Sequence, residues 1–204
     1  MDTQILQKVR NALEGLIRKE ALGETNSQDT GIKLSFIAPN SDFVSDLGTD
    51  PVINCYMIGV SEDKNRRQSE PYSTQLNASK TQGVLHREPK FVEISYMLTV
   101  WCKDKKGSAE IEHLLIGYLI SGLGKYDFLP KEYIEEQAID PGPYGIRFTL
   151  FGSENSEKIS GQVWQAMGST HKPSLMLSLS VPIIMYPAKP LPVIQAVEKA
   201  LSKK

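Results

Sequence analysis

Apolar and polar positions alternate along the chain between Phe91 and Cys102, and this alternation is the clearest pattern in the sequence. One face of the alternation is apolar throughout and consists of Val92, Ile94, Tyr96, Leu98, Val100 and Cys102. The other face carries the polar residues Glu93, Ser95 and Thr99, with the apolar residues Met97 and Trp101 among them. A period of two over this length is typical of a β-strand that buries one face in a core. The sequence therefore predicts a long strand inside a sheet.

Further elements follow from the same reading of periodicity. Apolar positions at helical spacing predict a first helix between Ile5 and Ile17, and a second helix that begins at Ser108 and ends near Gly122. The remaining predicted elements are the strands Ile32–Ile37, Val52–Val60, Ile146–Phe151 and Leu175–Tyr186, a short helix from Ser156 to Met167, and a last helix over Val193–Ser202. Residues 38–50 are predicted to be a loop. This mixture, without an internal repeat, predicts an α+β or mixed α/β fold in which one mainly antiparallel or mixed sheet is flanked by helices.

Prolines mark two boundaries in the second half of the chain. Pro182 interrupts the predicted strand Leu175–Tyr186, and because proline cannot donate to a ladder, we expect this strand to lie at a sheet edge or to be bulged at this residue. Three further prolines then separate the last helix from the strand: Pro187, Pro190 and Pro192. We therefore predict one domain over residues 1–187 and, over residues 188–204, a proline-led helix as a candidate assembly arm.

Residues 62–90 are polar and show neither a helical nor a strand period, which predicts a long loop. Loops of this length are uncommon in compact domains and are usually functional. The segment is slightly basic, and guanidinium groups pair bidentately with carboxylates. The last helix is too short to be stable alone, so it also needs a docking surface. The predicted partner contacts are therefore Lys64, Arg66, Arg67 and Arg87 in the loop, and Val193, Val197 and Leu201 in the arm.

Composition is that of a globular protein without a strong charge bias. The chain has 204 residues, of which 40% are hydrophobic, and a formal net charge of −1. Bulk binding to nucleic acid or to an anionic membrane would need a basic excess, so neither is expected. No secretory leader and no apolar run of roughly 20 residues is visible, so we expect a cytoplasmic protein that does not insert into a membrane. Cys55 and Cys102 are interpreted as reduced core thiols.

Catalytic and metal-binding motifs are missing from the sequence. It contains no P-loop, no dinucleotide-binding glycine pattern, no nucleophile elbow and no H-E-x-x-H. Two weak clusters are interpreted as solvated helix faces: Glu110, Glu112 and His113, and the acidic group Glu132, Glu135, Glu136 and Asp140. The first cluster lies opposite a predicted buried stripe made of Ile111, Leu114, Leu115, Tyr118 and Leu119. We therefore expect no enzyme, no metal and no cofactor.

Several stretches together carry a resemblance to one protein family. They are the helix Ile5–Ile17, the strand Pro51–Ile58 with Asn65-Arg66-Arg67, Arg87-Glu88-Pro89 followed by Tyr96-x-Leu98-Thr99, Glu112-His113-Leu114-Leu115-Ile116-Gly117, Trp164-x-Ala166-x-Gly168 and the strand Leu175–Ile183. Over roughly residues 5 to 186, the chain resembles the N-terminal domain of cap proteins, also called tail terminators, of contractile injection systems. These systems are phage-tail-like machines with a sheath around an inner tube.

The resemblance implies a tail-terminator-like fold and a structural role. Such proteins form a ring, typically a hexamer, on the last layers of inner tube and sheath and stop their polymerisation. The implied partners are further copies of the chain and the sheath and tube subunits, and His113 would have a packing or interface role. Family members often carry a further C-terminal domain, and this chain departs from that pattern.

Two alternatives remain at this point. The first is a small enzyme or ligand-binding domain that uses residues 62–90 as a lid. The second is another structural part of the same machine, such as an adaptor.

Overall fold

The structure is a computed structural model that describes residues 2–25, 29–67, 72–76, 82–103, 107–151, 164–167, 171–187 and 189–192. Its α-helices are α1 (Ile5–Leu16), α2 (Ser41–Asp46), α3 (Ser108–Leu123) and α4 (Lys131–Glu136), and residues 164–167 are also helical. A π-helical turn, Ile17–Ala21, extends α1, and 3-10 turns occupy Lys64–Arg66 and Gly142–Tyr144. The strands are β1 (Lys33–Ser35), β2 (Val52–Glu62), β3 (Tyr72–Leu76), β4 (Gln82–Arg87), β5 (Lys90–Trp101), β6 (Arg147–Leu150), β7 (Ser174–Ile183) and β8 (Lys189–Pro192).

The main sheet has five strands in the order β1-β2-β5-β7-β6. Only the β1–β2 pair is parallel, and the crossover between these strands contains α2. The other pairs are antiparallel, and the strand with the clearest alternation, β5, lies at the centre between β2 and β7. The predicted α+β fold with a mixed, mainly antiparallel sheet is confirmed.

The principal core lies between one face of this sheet and the helices. The apolar positions of β5 that the alternation predicted as one face, such as Ile94 and Leu98, contact the buried stripe of α1, including Leu13 and Leu16. The π-helical turn approaches α3 so closely that a Cβ atom on Gly122 would lie 2.5 Å from the Cα atom of Ala21. The absence of a side chain at this glycine therefore sets the helix-to-helix distance.

The opposite face of the sheet carries a smaller aromatic core. Trp101 of β5 packs edge-on against Phe43 of α2, with ring centroids 5.4 Å apart, and Trp164 lies 6.2 Å away on another side. The helix α2 was missed in the sequence, which predicted a loop in this region. It begins where the side chain of Asn40 accepts a hydrogen bond from the backbone N–H of Phe43, at 2.9 Å.

The expectation that residues 62–90 form a long loop is wrong. The strand β2 continues to Glu62, and β3 and β4 pair in antiparallel fashion within the segment. Both strands belong to a second sheet in the order β3-β4-β8. The side chains of Thr74 and Leu76 are exposed, so at these described positions β3 lacks the buried apolar side chains that mark a strand in a sequence.

The start of the predicted C-terminal arm also belongs to this second sheet. Lys189–Pro192 is β8, and it pairs with β4 through Gln82–Pro192 and Leu85–Lys189. Pro190 and Pro192 suit a strand at a sheet edge, where a missing N–H is tolerated. The proline-led linker is therefore a strand at its beginning, and the predicted helix beyond it lies outside the described residues.

Pro182 had suggested that β7 lies at an edge of the main sheet, but it does not. It lies between β5 and β6, and β6 is the edge strand on that side. The last pair between β6 and β7 is Arg147–Ser180, so Pro182 comes after the stretch of β7 that β6 covers. The proline is tolerated because β6 is short, and this cause could not be seen in the sequence.

The buried face of α3 differs from the predicted stripe. Leu115, Leu119 and Leu123 are buried, whereas Leu114 and Tyr118 are 53% and 45% exposed. The helix is apolar on almost every side, so the sequence could not indicate which face is buried. Glu112, which had been interpreted as solvated, is buried and forms an ion pair with Lys172. In the part of the chain that the structure describes, no helix is long and apolar enough to cross a membrane.

Candidate interaction surfaces

Arg66 is half-buried, and its guanidinium group is bound by backbone carbonyls of its own chain. Its Nη2 atom donates to the backbone carbonyl of Tyr144 at 2.8 Å, and its Nη1 atom donates to that of Ser180 at 3.0 Å. Both nitrogens also approach the Gly145 carbonyl at 3.4 Å, and the guanidinium lies 4.4 Å from the ring centroid of Phe91. The side chain thus joins the 3-10 turn before β6 to Ser180 of β7, the β7 residue of the last β6–β7 pair.

The electrostatics of Arg66 agree with this internal role. Burial lowers its pKa, because a charged guanidinium is less well solvated inside the protein than in water. The nearby Asp63 carboxylate opposes this shift, and the like charge of Arg147 adds to it. A charge reversal at Arg66 would therefore disturb the fold, since the carbonyl groups of Tyr144 and Ser180 would lose their donors.

Lys64 and Arg67 remain at the surface, as predicted. Arg67 lines a small groove of about 170 Å³ together with Glu62, Glu88 and Lys90. Asp63 at the base of this groove is buried, and its carboxylate accepts a hydrogen bond from the Asn65 backbone N–H at 3.1 Å. Acidic and basic groups are mixed here, so the groove is not a purely basic patch.

Arg87 is exposed on the second sheet, in a different groove from Arg67. Its guanidinium lies 4.6 Å from the ring centroid of Tyr186, in a groove of about 260 Å³ that Leu85 and Lys189 also line. The four predicted cations therefore do not form one patch: Arg66 binds backbone carbonyls, Arg67 and Arg87 line two separate grooves, and Lys64 is exposed outside both. Val193, Val197 and Leu201 lie outside the described residues, so their contacts stay a prediction.

The weak chemical clusters do not form a metal centre among the described residues. Glu110 and His113 are exposed on α3, while Glu112 turns inward to Lys172. The acidic residues of α4 are exposed, as expected for a solvated face: Glu132, Glu135 and Glu136. Burial raises the pKa of the Cys55 thiol, so this cysteine is held in its protonated and less reactive form.

Exposed apolar side chains at the two edges of the main sheet were missed by the sequence analysis. At the β6 edge, Phe128 is 51% and Phe151 is 59% exposed, beside a groove of about 660 Å³ that Arg66, Asp127 and Arg147 also line. Phe128 had not been assigned to any predicted element. Phe151 falls on the odd-numbered positions of the predicted strand, whereas the buried Ile146 and Phe148 fall on the even-numbered ones. This alternation was the feature of the sequence that could have indicated an outward-facing side chain at Phe151.

The β1 edge carries a second groove, of about 480 Å³, between β1 and α2. Its apolar lining includes Leu34, Ile37 and Leu47, and its polar lining includes the carboxylates of Asp42 and Asp46. Ile37 is 60% exposed. This groove could not be predicted because α2, which forms one wall, had been interpreted as a loop.

A protein-family comparison decides the relationship of the chain. The sequence matches the model of the Pvc16 N-terminal domain over residues 8–195, which is most of its length. The chain belongs to the Pvc16 N-terminal domain family. The predicted resemblance to tail terminators of contractile injection systems is thereby confirmed.

Solved structures show the same fold. A sheath/tube terminator in the extended state, from the extracellular contractile injection system PVC, matches with a TM-score of 0.60 and 17% identity. The match covers 100% of this chain and 65% of the terminator. The tube-terminating cap of the anti-feeding prophage matches with a TM-score of 0.57 and 18% identity, covering 95% of this chain and 60% of the cap.

The chain therefore spans about 60–65% of the length of these two structural relatives. A comparison with curated protein sequences finds no match. At identities of 17% and 18%, the structural similarity shows the fold alone. The role of this chain is therefore inferred from its own surfaces.

Proposed function

We propose that this protein caps a contractile injection system: it forms a ring on the last layers of inner tube and sheath and stops their growth. The observation that carries the proposal is its membership of the Pvc16 N-terminal domain family, with a fold match along the whole chain to a sheath/tube terminator. The proposed ring is a hexamer of this chain that assembles in the cytoplasm, and its partners are the sheath and tube subunits.

The physical basis of capping is that an open filament grows by repeating one heterologous contact. A ring of non-identical subunits that binds the growing face, and does not offer that face again, ends the repetition. The surface of this protein suits a role in such contacts, because apolar side chains are exposed on both sheet edges and along α3: Ile37, Phe128, Phe151, Leu114 and Tyr118. Exposed apolar groups of this kind are typical of surfaces that are covered in an assembly.

The proposed role is structural and involves no catalysis, metal or cofactor. The alternative in which residues 62–90 act as the lid of an enzyme loses its basis, since much of that segment is paired in β3 and β4. Lys64, Arg67 and Arg87 are kept as proposed partner contacts, because their side chains are exposed. The C-terminal residues Val193, Val197 and Leu201 are kept as a proposed arm that docks on a neighbouring subunit.

Deletion of the gene in the native host tests the proposal. We expect tubes and sheaths of uncontrolled length, or particles that fall apart, and restoration by the wild-type gene in trans. Particles of normal length and stability in the deletion strain would refute a capping role. A variant with an unstable fold serves as a second loss-of-function control, so that effects on other genes of the same operon can be recognised.

A further inference from the structure

The edge of the main sheet at β6 presents two outward phenylalanine side chains in fixed positions. Phe151 follows β6 with a backbone φ of 72°, a left-handed conformation that is rare for a bulky residue and costs free energy. Phe128 is anchored by an isolated bridge to Arg147, and Phe148 donates its backbone N–H to the Asp127 carbonyl at 2.8 Å. The left-handed backbone of Phe151 and the bridge at Phe128 place two half-exposed aromatic rings at this edge of the sheet.

Gly145 adds to the support beneath Phe128. Its φ is 66°, and a Cβ atom at this position would lie 3.3 Å from Cδ1 of Phe128. The phenyl ring of Phe128 therefore packs close to the backbone of Gly145 rather than against a flexible side chain. An aromatic side chain that is already fixed loses little conformational entropy on binding, which favours its use as an anchor.

The opposite edge of the same sheet offers an apolar groove. The groove between β1 and α2 has a volume of about 480 Å³, and its walls include Leu34, Ile37 and Leu47. The backbone at the end of α2 is fixed, because Lys103 Nζ donates to the carbonyl groups of Ser45 and Leu47 at 2.9 and 2.6 Å. This groove is thus a preformed apolar recess at a sheet edge.

The charges around the two edges are opposite in sign. The β1–α2 groove is lined by Asp42 and Asp46 and by a single cation, Lys33, which is itself paired with Asp50 at 2.8 Å. The β6 groove is lined by two guanidinium groups, Arg66 and Arg147, and by one carboxylate, Asp127. Arg66 is bound by backbone carbonyls, so among the described residues that line this groove Arg147 is the exposed cation.

These two features cannot meet within one chain, because β1 and β6 are the two outer strands of the sheet order β1-β2-β5-β7-β6. We propose that two copies of this protein join head to tail, with Phe128 and Phe151 of one copy in the β1–α2 groove of the next and Arg147 facing Asp42 and Asp46. Apolar rings then meet an apolar recess, and the surrounding charges are complementary.

Such a contact is heterologous, since it joins two different surfaces of the same chain. Repetition of a heterologous contact produces a ring when the rotation between copies closes, and a filament otherwise. The inference rests on the proposed function, because a capping ring requires a contact between copies. It deepens that function by naming the two surfaces that form the contact. Phe128 and Phe151 are already about half buried, so each phenyl group can add only part of the roughly 150–250 Å² that a large aromatic side chain buries in full. The two phenylalanines therefore form the centre of an interface and not its whole area.

Two sets of variants test the contact. The first set changes the β6 edge by Phe128→Ser with Phe151→Asn, since asparagine tolerates the left-handed backbone at that position. The second set changes the other edge by Asp42→Lys with Asp46→Lys. The matched control for the second set is Glu132→Lys with Glu136→Lys, which makes the same exchange, at the same spacing, in another helix of six residues. The control for the first set is Leu76→Ser, at an apolar residue of β3 that is exposed to a similar degree, 55%.

Sedimentation velocity over a wide range of protein concentration measures the association, and circular dichroism verifies the fold of each variant. We expect the wild type and both controls to form the same closed oligomer, and each edge variant alone to be monomeric. An equimolar mixture of the two edge variants should form a heterodimer and nothing larger, because each partner keeps one intact surface. If a lysine pair unfolds α2, Ile37→Asn replaces it as the groove variant.

Monomeric wild-type protein at every concentration, an edge variant that still associates as the wild type does, or a mixture without a heterodimer would each overturn the inference. The capping role is measured separately, by the length of tubes in the deletion strain. Loss of the heterodimer with normal length control would refute only the contact, whereas a clear heterodimer with normal lengths in the deletion strain would refute only the capping role.

Discussion

The internal contact of Arg66 leads to a sharp prediction, because Arg67 beside it provides a control. Arg66→Ala removes two short hydrogen bonds to backbone carbonyls, at 2.8 and 3.0 Å, and the stacking of the guanidinium on Phe91 at 4.4 Å. Arg67→Ala removes an exposed guanidinium one residue further along the chain. The two changes are chemically identical, so a difference between them reports on the structural setting.

The size of the effect can be worked out from these contacts. A net contribution of about 1.5 kcal/mol for each hydrogen bond from a charged group gives about 3 kcal/mol, at the lower end of the usual range. The stacking on Phe91 adds about 0.5–1 kcal/mol. The desolvation that lowers the pKa of Arg66 offsets part of this sum, so we expect a loss of about 2–4 kcal/mol in the free energy of unfolding.

Thermal unfolding provides the assay. For a chain of this size, 1 kcal/mol corresponds to roughly 2–4 °C in Tm, so Arg66→Ala should lower Tm by roughly 5–15 °C. Arg67→Ala should change the free energy of unfolding by less than about 0.5 kcal/mol. Arg66→Lys should be intermediate, because it keeps the charge but cannot reach several carbonyls in one plane. Equal Tm values for the two alanine variants would refute the internal role of Arg66.

Two further predictions concern stability. In α3, Gly122→Ala should destabilise the protein by about 1–3 kcal/mol or more, because the new Cβ atom would lie 2.5 Å from backbone atoms of Glu20 and Ala21. In the control Gly117→Ala, in the same helix, the new Cβ atom meets nothing within 4 Å, and the change should stabilise the protein by about 0.5–1 kcal/mol. Urea unfolding measures the stability of both variants. Equal effects would contradict the close approach at Gly122. Hydrogen bonds from Lys125, Tyr126 and Tyr133 lower the pKa of Glu20 below its ordinary value. The ionised Glu20 carboxylate therefore stabilises the folded protein above about pH 4.5, and this stabilisation is lost as the pH falls through the folded-state pKa. Glu20→Gln should therefore cost about 1 kcal/mol at neutral pH and flatten the fall of Tm in acid, while Glu132→Gln, at an exposed position, should leave the pH profile unchanged.

The central layer of the fold could be predicted from the sequence because its strands bury one face. The alternation in Phe91–Cys102 and the helical stripe of Ile5–Ile17 correspond to β5 and to α1 with its π-helical extension. Both patterns arise from burial against a single core, and such patterns are visible in a sequence.

The second sheet could not be predicted, because the described side chains of β3 lie in solvent and carry no apolar alternation. The role of Arg66 was missed for a different reason. Its partners are backbone carbonyls about 80 and 110 positions away in the sequence, at Tyr144 and Ser180, and a basic residue in a polar segment gives no sign of such partners.

The family resemblance was visible in short motifs, but the surfaces that would serve assembly were not. Phe128 and Phe151 are exposed because β6 ends after Leu150 and because a bridge holds Phe128 outward. Leu114 and Tyr118 are exposed because α3 buries another of its apolar sides. Each of these facts depends on how elements pack, which a pattern of residue types does not encode.

The most direct test of the capping role is to locate the protein on an assembled particle. A tagged copy that restores normal particle length in the deletion strain would be labelled with gold and imaged by electron microscopy. If the protein is a cap, we expect label at one end of each extended particle, at the last layer of tube and sheath, and ring-shaped density at that end after averaging. Label along the length of the particle, or complete particles that carry none, would contradict it.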